Sequence, residues 1–416
     1  MTEPTERRPV DTRPLVEKAT SVVSKLRGAS HEAYFAGGCV RDQIMGVTPH
    51  DYDIATSATP EQVQALFPRT LAIGAQFGVI QVRYGGEGFE VTTFRTDVSY
   101  SDGRRPDSVQ FVSAEEDVQR RDFTINGLLM DPLSGEVLDH VGGVADIEAR
   151  CIRAIGVPSE RFTEDRLRML RAVRFASRFG FAIHDTTAAA IVADAASIQS
   201  VSPERTRDEL TRTLAEGNAS EGYTLLNELG LRVFVLPELS GDAARITEDS
   251  ELLCTLPPGD AIAAFALLLR DAEDALVEGL GRRLRMSNAD TERMRSRVSA
   301  REALCTLDLT DKAAWIRWGR DPLAHERLDH CALLPDPDSI LQPRVKQLRA
   351  LLNQISSEEL RPTPWITGHD LMALGHTPGP HFKAVLSQLE DAQLRGELPD
   401  RARAEALVAQ ILSPTE

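Results

Sequence analysis

Cysteine is scarce in this chain. Its five residues (Cys39, Cys151, Cys254, Cys305 and Cys331) are far apart in 416, with no CxxC pair among them. That spacing argues against zinc sites and disulfide scaffolds and fits a reducing cytoplasm. Long apolar runs are missing too. The longest, Ala261–Leu269, falls well short of the ~20 residues a membrane span needs, so no membrane partner is expected. The polar, proline-bearing start MTEPTERRPVDTRP lacks the apolar core of a secretory signal. Lysine is nearly absent, five residues against 42 arginines. What is present is ordinary globular usage, 42% apolar and 26% charged, which excludes disordered and fibrous classes. The length suits about two to four domains with real cores.

The net charge of −16 by itself counts against a nucleic-acid partner. Its distribution does not. Six arginines fall between Arg161 and Arg178, and a second dense group runs from Arg282 to Arg301. Arginine's planar fork suits phosphates and base edges better than lysine does.

The first third reads as α+β. Helical spacing covers 15–28, a short strand lies at Ala33–Ala36, and Gly37-Gly38 opens a helix through Val40, Ile44 and Met45. Further strands are expected at Tyr52–Ala55, Gly78–Tyr84, Phe89–Phe94 and Ser108–Val112, with a hydrophilic loop at Ser99–Asp107. Past Thr163 the pattern is helix after helix (163–178, 186–194, 203–215, 219–229, 260–279 and 288–303), interrupted by prolines.

Two glycines between a strand and a helix let backbone approach a ligand closely, and free N–H groups at the helix start favour an anion such as a triphosphate. Asp51-Tyr52-Asp53 follows. Period-two geometry puts its two carboxylates on one face, which is costly unless a cation sits between them. Hard oxygen ligands of this kind suit Mg²⁺ shared with substrate phosphates. Glu90, a third carboxylate on an otherwise apolar strand, completes the set that two-metal phosphoryl transfer requires, unless it simply pairs with Arg95. Further on, Asp165, Arg168, Arg171 and Arg174 recur every three residues on one helix, with Glu164 and Asp165 expected in its first turn. Such a stripe is either a self-satisfied surface or a reader of base edges, the carboxylate accepting from an exocyclic amine and the guanidinium donating to ring acceptors.

In order and spacing, GGCVRD…DYD, FEVTTFR, DGRRPDSVQF, RRDFTINGL, VGGVADIE, EDRLRMLRAVRFA and SPERTRDEL resemble the class II tRNA nucleotidyltransferases. These are the CCA-adding enzymes and their bacterial poly(A) polymerase relatives. The motifs span about residues 30–215, and a weaker pattern, Thr367-Gly368-His369-Asp370-Leu371, follows in the tail. The resemblance implies an N-terminal helix (1–29), a mixed-sheet nucleotidyltransferase head (30–150) and an all-helical neck (151–240), body (241–330) and tail (331–416) in a seahorse-like assembly. It implies addition of C and A from CTP and ATP to a tRNA 3′ end. Asp51 and Asp53 match the metal ligands and Glu90 the third carboxylate. Gly38 and Arg41 match nucleotide contacts, and Arg121 with Asp122 match the ribose-holding pair. Asp165 and Arg168 match the protein template for the incoming base, with Arg171 and Arg174 as neighbouring nucleotide-binding arginines.

Within that family the long loop with Asp102, Arg104 and Arg105 disfavours a CC-only enzyme. Ile73–Val79 lacks the basic signature of poly(A) polymerases, with Gln76-Phe77 where a His is more usual. A-only addition and poly(A) tailing stay as alternatives. Arg270-Asp271 has arginine where a phosphohydrolase HD pair needs histidine, so no phosphatase is expected. A catalytically dead tRNA-binding protein is a remote rival, since none of the three acids is missing.

Overall fold

The structure, a computed structural model, describes residues 13–74, 77–97, 109–239 and 241–412. The loop carrying Asp102, Arg104 and Arg105, and Gln76, lie outside the described residues. The chain divides into two compact units, residues 1–250 and 251–416. Among the described residues no helix is long and apolar enough to cross a membrane.

Among its described residues the first unit has eleven strands: β1 (Ala33–Ala36), β2 (Asp53–Thr56), β3 (Thr70–Gly74), β4 (Val79–Tyr84), β5 (Glu87–Thr93), β6 (Arg95–Asp97), β7 (Val109–Phe111), β8 (Leu128–Met130), β9 (Val137–Asp139) and a short parallel pair, β10 (Cys151–Ile152) and β11 (Ala182–Ile183). Seven of them form one mixed sheet in the order β3-β4-β5-β2-β1-β8-β9, while β6 and β7 pair separately. Only β2 and β5 run parallel within the large sheet, with Ile54 opposite Val91. One position earlier, the same register sets Asp53 beside Glu90. The capped helix Pro60–Leu66 and the β3–β4 hairpin make the crossover that a parallel pair requires.

Strand alternation decides what each face carries. Phe89 and Val91 are buried in β5, while Glu90 between them is exposed. Glu90 is therefore not a charge in an apolar interior, as its apolar neighbours suggested, because one sheet face opens onto a cleft. The helix Leu15–Gly28 covers the sheet with Ala19, Val22, Val23 and Leu26, all fully buried, at the expected 3.6-residue spacing.

Several elements depart from the sequence pattern. The strand expected from Tyr52 begins at Asp53, so Asp51 sits just ahead of it. Buried Tyr52 packs on Phe35, with ring centroids 4.9 Å apart, and keeps its two neighbours turned away from the core. Strand β3 shows no alternation because it is an edge strand whose Leu71 and Ile73 are exposed. The three-residue strands β8 and β9 are too short to carry a periodic signal.

The helix expected over 163–178 is two helices, Pro158–Glu164 and Leu167–Phe179, broken at Asp165 in extended conformation. Glu164 therefore ends one helix instead of opening the next. Asp165 starts the second: its carbonyl accepts from Arg168 N (3.0 Å) and its Oδ1 from Leu167 N (3.1 Å). Likewise 260–279 divides into Ala261–Leu268 and Asp274–Arg283, and 288–303 divides at Ser299.

In the second unit, one apolar cluster joins Trp315, Ile316 and Leu328 to Leu341, Val345 and Leu348. The boundary placed at 330/331 thus falls inside a core. Another cluster gathers Ile366, Leu371, Val385, Leu389 and Val408.

The two faces of β5 make a direct test. Truncating Phe89 to Ala should cost about 3–5 kcal/mol in urea denaturation. Glu90→Ala, one residue on, should stay within about 0.5 kcal/mol of the parent. Equal losses would contradict this face assignment.

Candidate active site

A cleft of about 720 Å³ opens in the first unit. Asp51, Asp53, Glu90, Gly38, Arg41, Arg121, Asp122, Asp165, Arg168, Arg171 and Arg174 all line it, so every site residue read from the sequence faces one space. Among the described residues, ten arginines and six carboxylates line the cleft, a cationic surplus in a chain of net charge −16.

The carboxylate wall comes from β2 and β5. Solvent reaches Asp53, yet the surrounding walls and the neighbouring charges of Asp51 and Glu90 push its carboxyl up to about 6, with Arg121 opposing. Among the described residues no three Asp, Glu, His or Cys side chains converge closely enough to hold an ion unaided. Mutually repelling hard oxygens on one face suit a divalent cation whose remaining positions are filled by substrate oxygens.

Behind this wall lies the two-glycine turn. Gly37 takes φ +71°, and a Cβ there would stand 2.9 Å from an Arg121 guanidinium nitrogen, so only glycine fits. Cys39, next to the turn, is buried. Burial pushes its thiol up to about 12, which leaves it protonated and unsuited to nucleophilic work. Arg41 is buried and held on two sides: Asn126 Oδ1 accepts its Nη1 at 2.5 Å and Asp42 Oδ1 its Nη2 at 2.7 Å. Its guanidinium lies over Phe179, 4.6 Å from the ring centroid.

The arginine wall comes from Leu167–Phe179 and its neighbour, the helix Pro203–Ala215. The three-residue stripe is not a ladder within one helix, because nearly every member finds its partner elsewhere. Arg168 donates to Glu164 (2.8 Å) and to the carbonyls of Arg161 (3.1 Å) and Arg120 (3.0 Å). Asp165 Oδ2 accepts from Arg205 at 2.7 Å. Arg171 reaches Asp122 at 2.6 Å, and Arg174 reaches Glu209 at 2.6 Å.

Asp122 is the junction between the walls. Its Oδ1 accepts from Phe123 N (2.8 Å) and Asn126 (3.1 Å), its Oδ2 from Arg171. Burial alone would raise this carboxyl, but the Arg171 charge and these hydrogen bonds overrule it and hold it at about 2.

Four supporting residues escaped the sequence reading. Buried Asp117 receives Arg120 (2.9 Å) and Arg121 (3.1 Å), a pairing its i+3 and i+4 spacing could have revealed. Asn126 links Arg41 to Asp122. Arg205 and Glu209 lie four apart in SPERTRDEL, one helix face, but nothing local names their partners on another helix.

The Asp122 carboxyl is depressed in the folded state, so its stabilisation is present above the unfolded value near pH 4 and fades as pH falls toward 2. Asp122→Asn should therefore be less stable than the parent at pH 7, by about 2–3 kcal/mol in urea titrations. About 1 kcal/mol of that gap should be gone by pH 3. A gap independent of pH would show that the carboxylate charge is not what matters.

Known proteins place this geometry. Residues 33–153 match the family model of the poly A polymerase head domain, and residues 180–242 match that of a probable RNA and SrmB-binding site of polymerase A. The CCA-adding enzyme of Levilactobacillus brevis is 35% identical over 402 residues, 95% of this chain and 97% of that one. That of Geobacillus kaustophilus is 46% identical over 235 residues, 56% of this chain and 57% of that one. The crystal structure of the Bacillus stearothermophilus CCA-adding enzyme in complex with CTP superposes with a TM-score of 0.78 at 30% identity, covering 96% of this chain and 98% of that one. With more than a third of its residues shared along nearly the whole length of such a relative, the chain belongs to the CCA-adding enzyme family of tRNA nucleotidyltransferases.

Proposed function

We propose that this chain adds C and A residues from CTP and ATP to the 3′ end of tRNA in the cytoplasm, choosing each nucleotide with protein side chains and no nucleic-acid template. The observation that carries this reading is the meeting, in one cleft, of a carboxylate wall, a two-glycine turn and the Asp165–Arg168 pair. The cleft's volume suits a nucleoside triphosphate.

The RNA 3′-hydroxyl attacks the α-phosphorus, a new P–O bond forms, and pyrophosphate leaves. Enzymes of this family use a divalent metal. Here Mg²⁺ would be held by Asp51 and Asp53, and when bound it lowers the pKa of the attacking hydroxyl and neutralises charge on the phosphoryl oxygens. Glu90 takes the hydroxyl proton, a role its position beside Asp53 supports. Gly38 and Arg41 receive the phosphates, Arg171 and Arg174 add charge to that wall, and Arg121 with Asp122 faces the ribose.

Base choice follows from hydrogen-bond polarity. Cytosine and adenine each present an exocyclic amine beside an unprotonated ring nitrogen. Guanine and uracil reverse the order, a carbonyl beside a ring N–H. A carboxylate at Asp165 accepts the amine and a guanidinium at Arg168 donates to the ring nitrogen, so the first pair fits and the second meets like against like. The contacts that hold both side chains support fixed readers.

Asp51→Ala and Asp53→Ala should each lower kcat by on the order of 10³-fold or more while urea midpoints stay near the parent's. Active, metal-dependent variants would defeat the assignment. Asp165→Ala or Arg168→Ala should narrow the preference for CTP over UTP by about 10- to 100-fold; unchanged discrimination would remove the templating role. Transcripts ending before CCA, after C and after CC, given CTP and ATP, should all stop at a finished CCA end. Extension of the CC-ended transcript alone would mean an A-adding enzyme, and a long adenosine ladder a poly(A) polymerase.

A further inference from the structure

The helices Leu167–Phe179 and Pro203–Ala215 lie side by side along the cleft, and ion pairs tie them at three levels. Asp165 meets Arg205 at the first, and Arg171 and Arg174 meet Glu209 at the second. At the third, a single carboxylate, Glu216, faces three arginines: Arg178 at 3.3 Å, Arg174 at 3.6 Å and Arg212 at 3.8 Å. No base-reading or ribose role reaches this level, yet Arg178 and Arg212 line the same cleft.

We propose that Arg178 and Arg212 form a phosphate subsite that takes the polyphosphate end of the nucleotide; this extends, and rests on, the function proposed above. Three observations carry it. With Arg174 matched by Glu209, Arg178 and Arg212 share the single carboxylate of Glu216 and leave one positive charge in excess. Their guanidiniums are also under-used: Arg212 is beyond hydrogen-bond distance of Glu216, and Arg178 donates one long bond to it, leaving most of their N–H donors for a ligand. The third is position. Arg178 lies 5.3 Å and Arg41 4.6 Å from the centroid of the same Phe179 ring, so the subsite borders the arginine placed against the phosphates. From Asp165 through the Asp122–Arg171 pair to Arg178, the wall runs in the order base, sugar, phosphate.

Phosphates of the RNA backbone share this chemistry, and the test separates the two sources. Equilibrium binding of CTP, of CMP and of a tRNA ending before CCA would be measured with the full-length protein, for the parent and for R178Q/R212Q. The expected result is a CTP dissociation constant raised about 10- to 100-fold, with CMP and tRNA binding unchanged and the CTP affinity less salt-dependent. A loss confined to tRNA would keep the phosphate subsite and assign it to the RNA. No change in either would overturn the proposal. Glu216→Gln removes the shared counter-charge and should tighten CTP binding severalfold, a gain that misfolding cannot produce. If the parent itself fails to extend tRNA with CTP and ATP, the proposed function fails; a parent that extends tRNA beside an R178Q/R212Q variant that binds like it defeats only the subsite.

Discussion

A charge removed from water must be met by another charge or by hydrogen bonds, and the cleft is organised around that constraint. Its carboxylate wall belongs to the sheet and its cationic wall to the helices, and the two are joined at Asp122. That carboxylate spends one oxygen on its own loop and the other on Arg171. The loop's Asn126 also holds Arg41, so one short segment sets the positions of two cationic side chains from different elements. Asp53 shows the opposite condition. Crowded by Asp51 and Glu90 and only partly offset by Arg121, it keeps an unmet negative charge, which is the electrostatic form of a cation site.

The proposed selection among nucleotides depends on the same economy of partners. A reader that swung freely could satisfy either polarity of base edge. Arg168 is pinned by two carbonyls and Glu164, and Asp165 by Arg205 and the start of its own helix. Each side chain therefore presents its remaining hydrogen-bonding capacity in a set direction, and the cost of fixing it is met during folding instead of at each round of binding.

The acidic total of the chain conceals this. Ten arginines among the described residues crowd a cleft in a protein of net charge −16, so the field an incoming triphosphate meets is the local one. Arginine suits such a site better than lysine because its fixed fork can hold a structural carboxylate and still donate to a ligand.

Local chemistry fixed much of this in advance. The two-glycine turn, the DxD carboxylates, the Asp165–Arg168 spacing and the helical second half are legible because each rests on short-range rules: glycine's freedom at positive φ, period-two alternation in a strand, 3.6-residue spacing in helices; the base-reading role proposed for the pair rests on the family resemblance. The long helix at 163–178 misled because periodicity continues through Asp165 while a backbone break does not register in it. Only the tertiary structure decided who meets whom. That Asp53 stands beside Glu90 follows from a parallel register between strands 37 positions apart. That Arg205, Glu209 and Glu216 complete the cationic wall follows from two helices packing side by side. Pairing across such separations depends on how elements dock, and residue spacing along one chain carries no record of it.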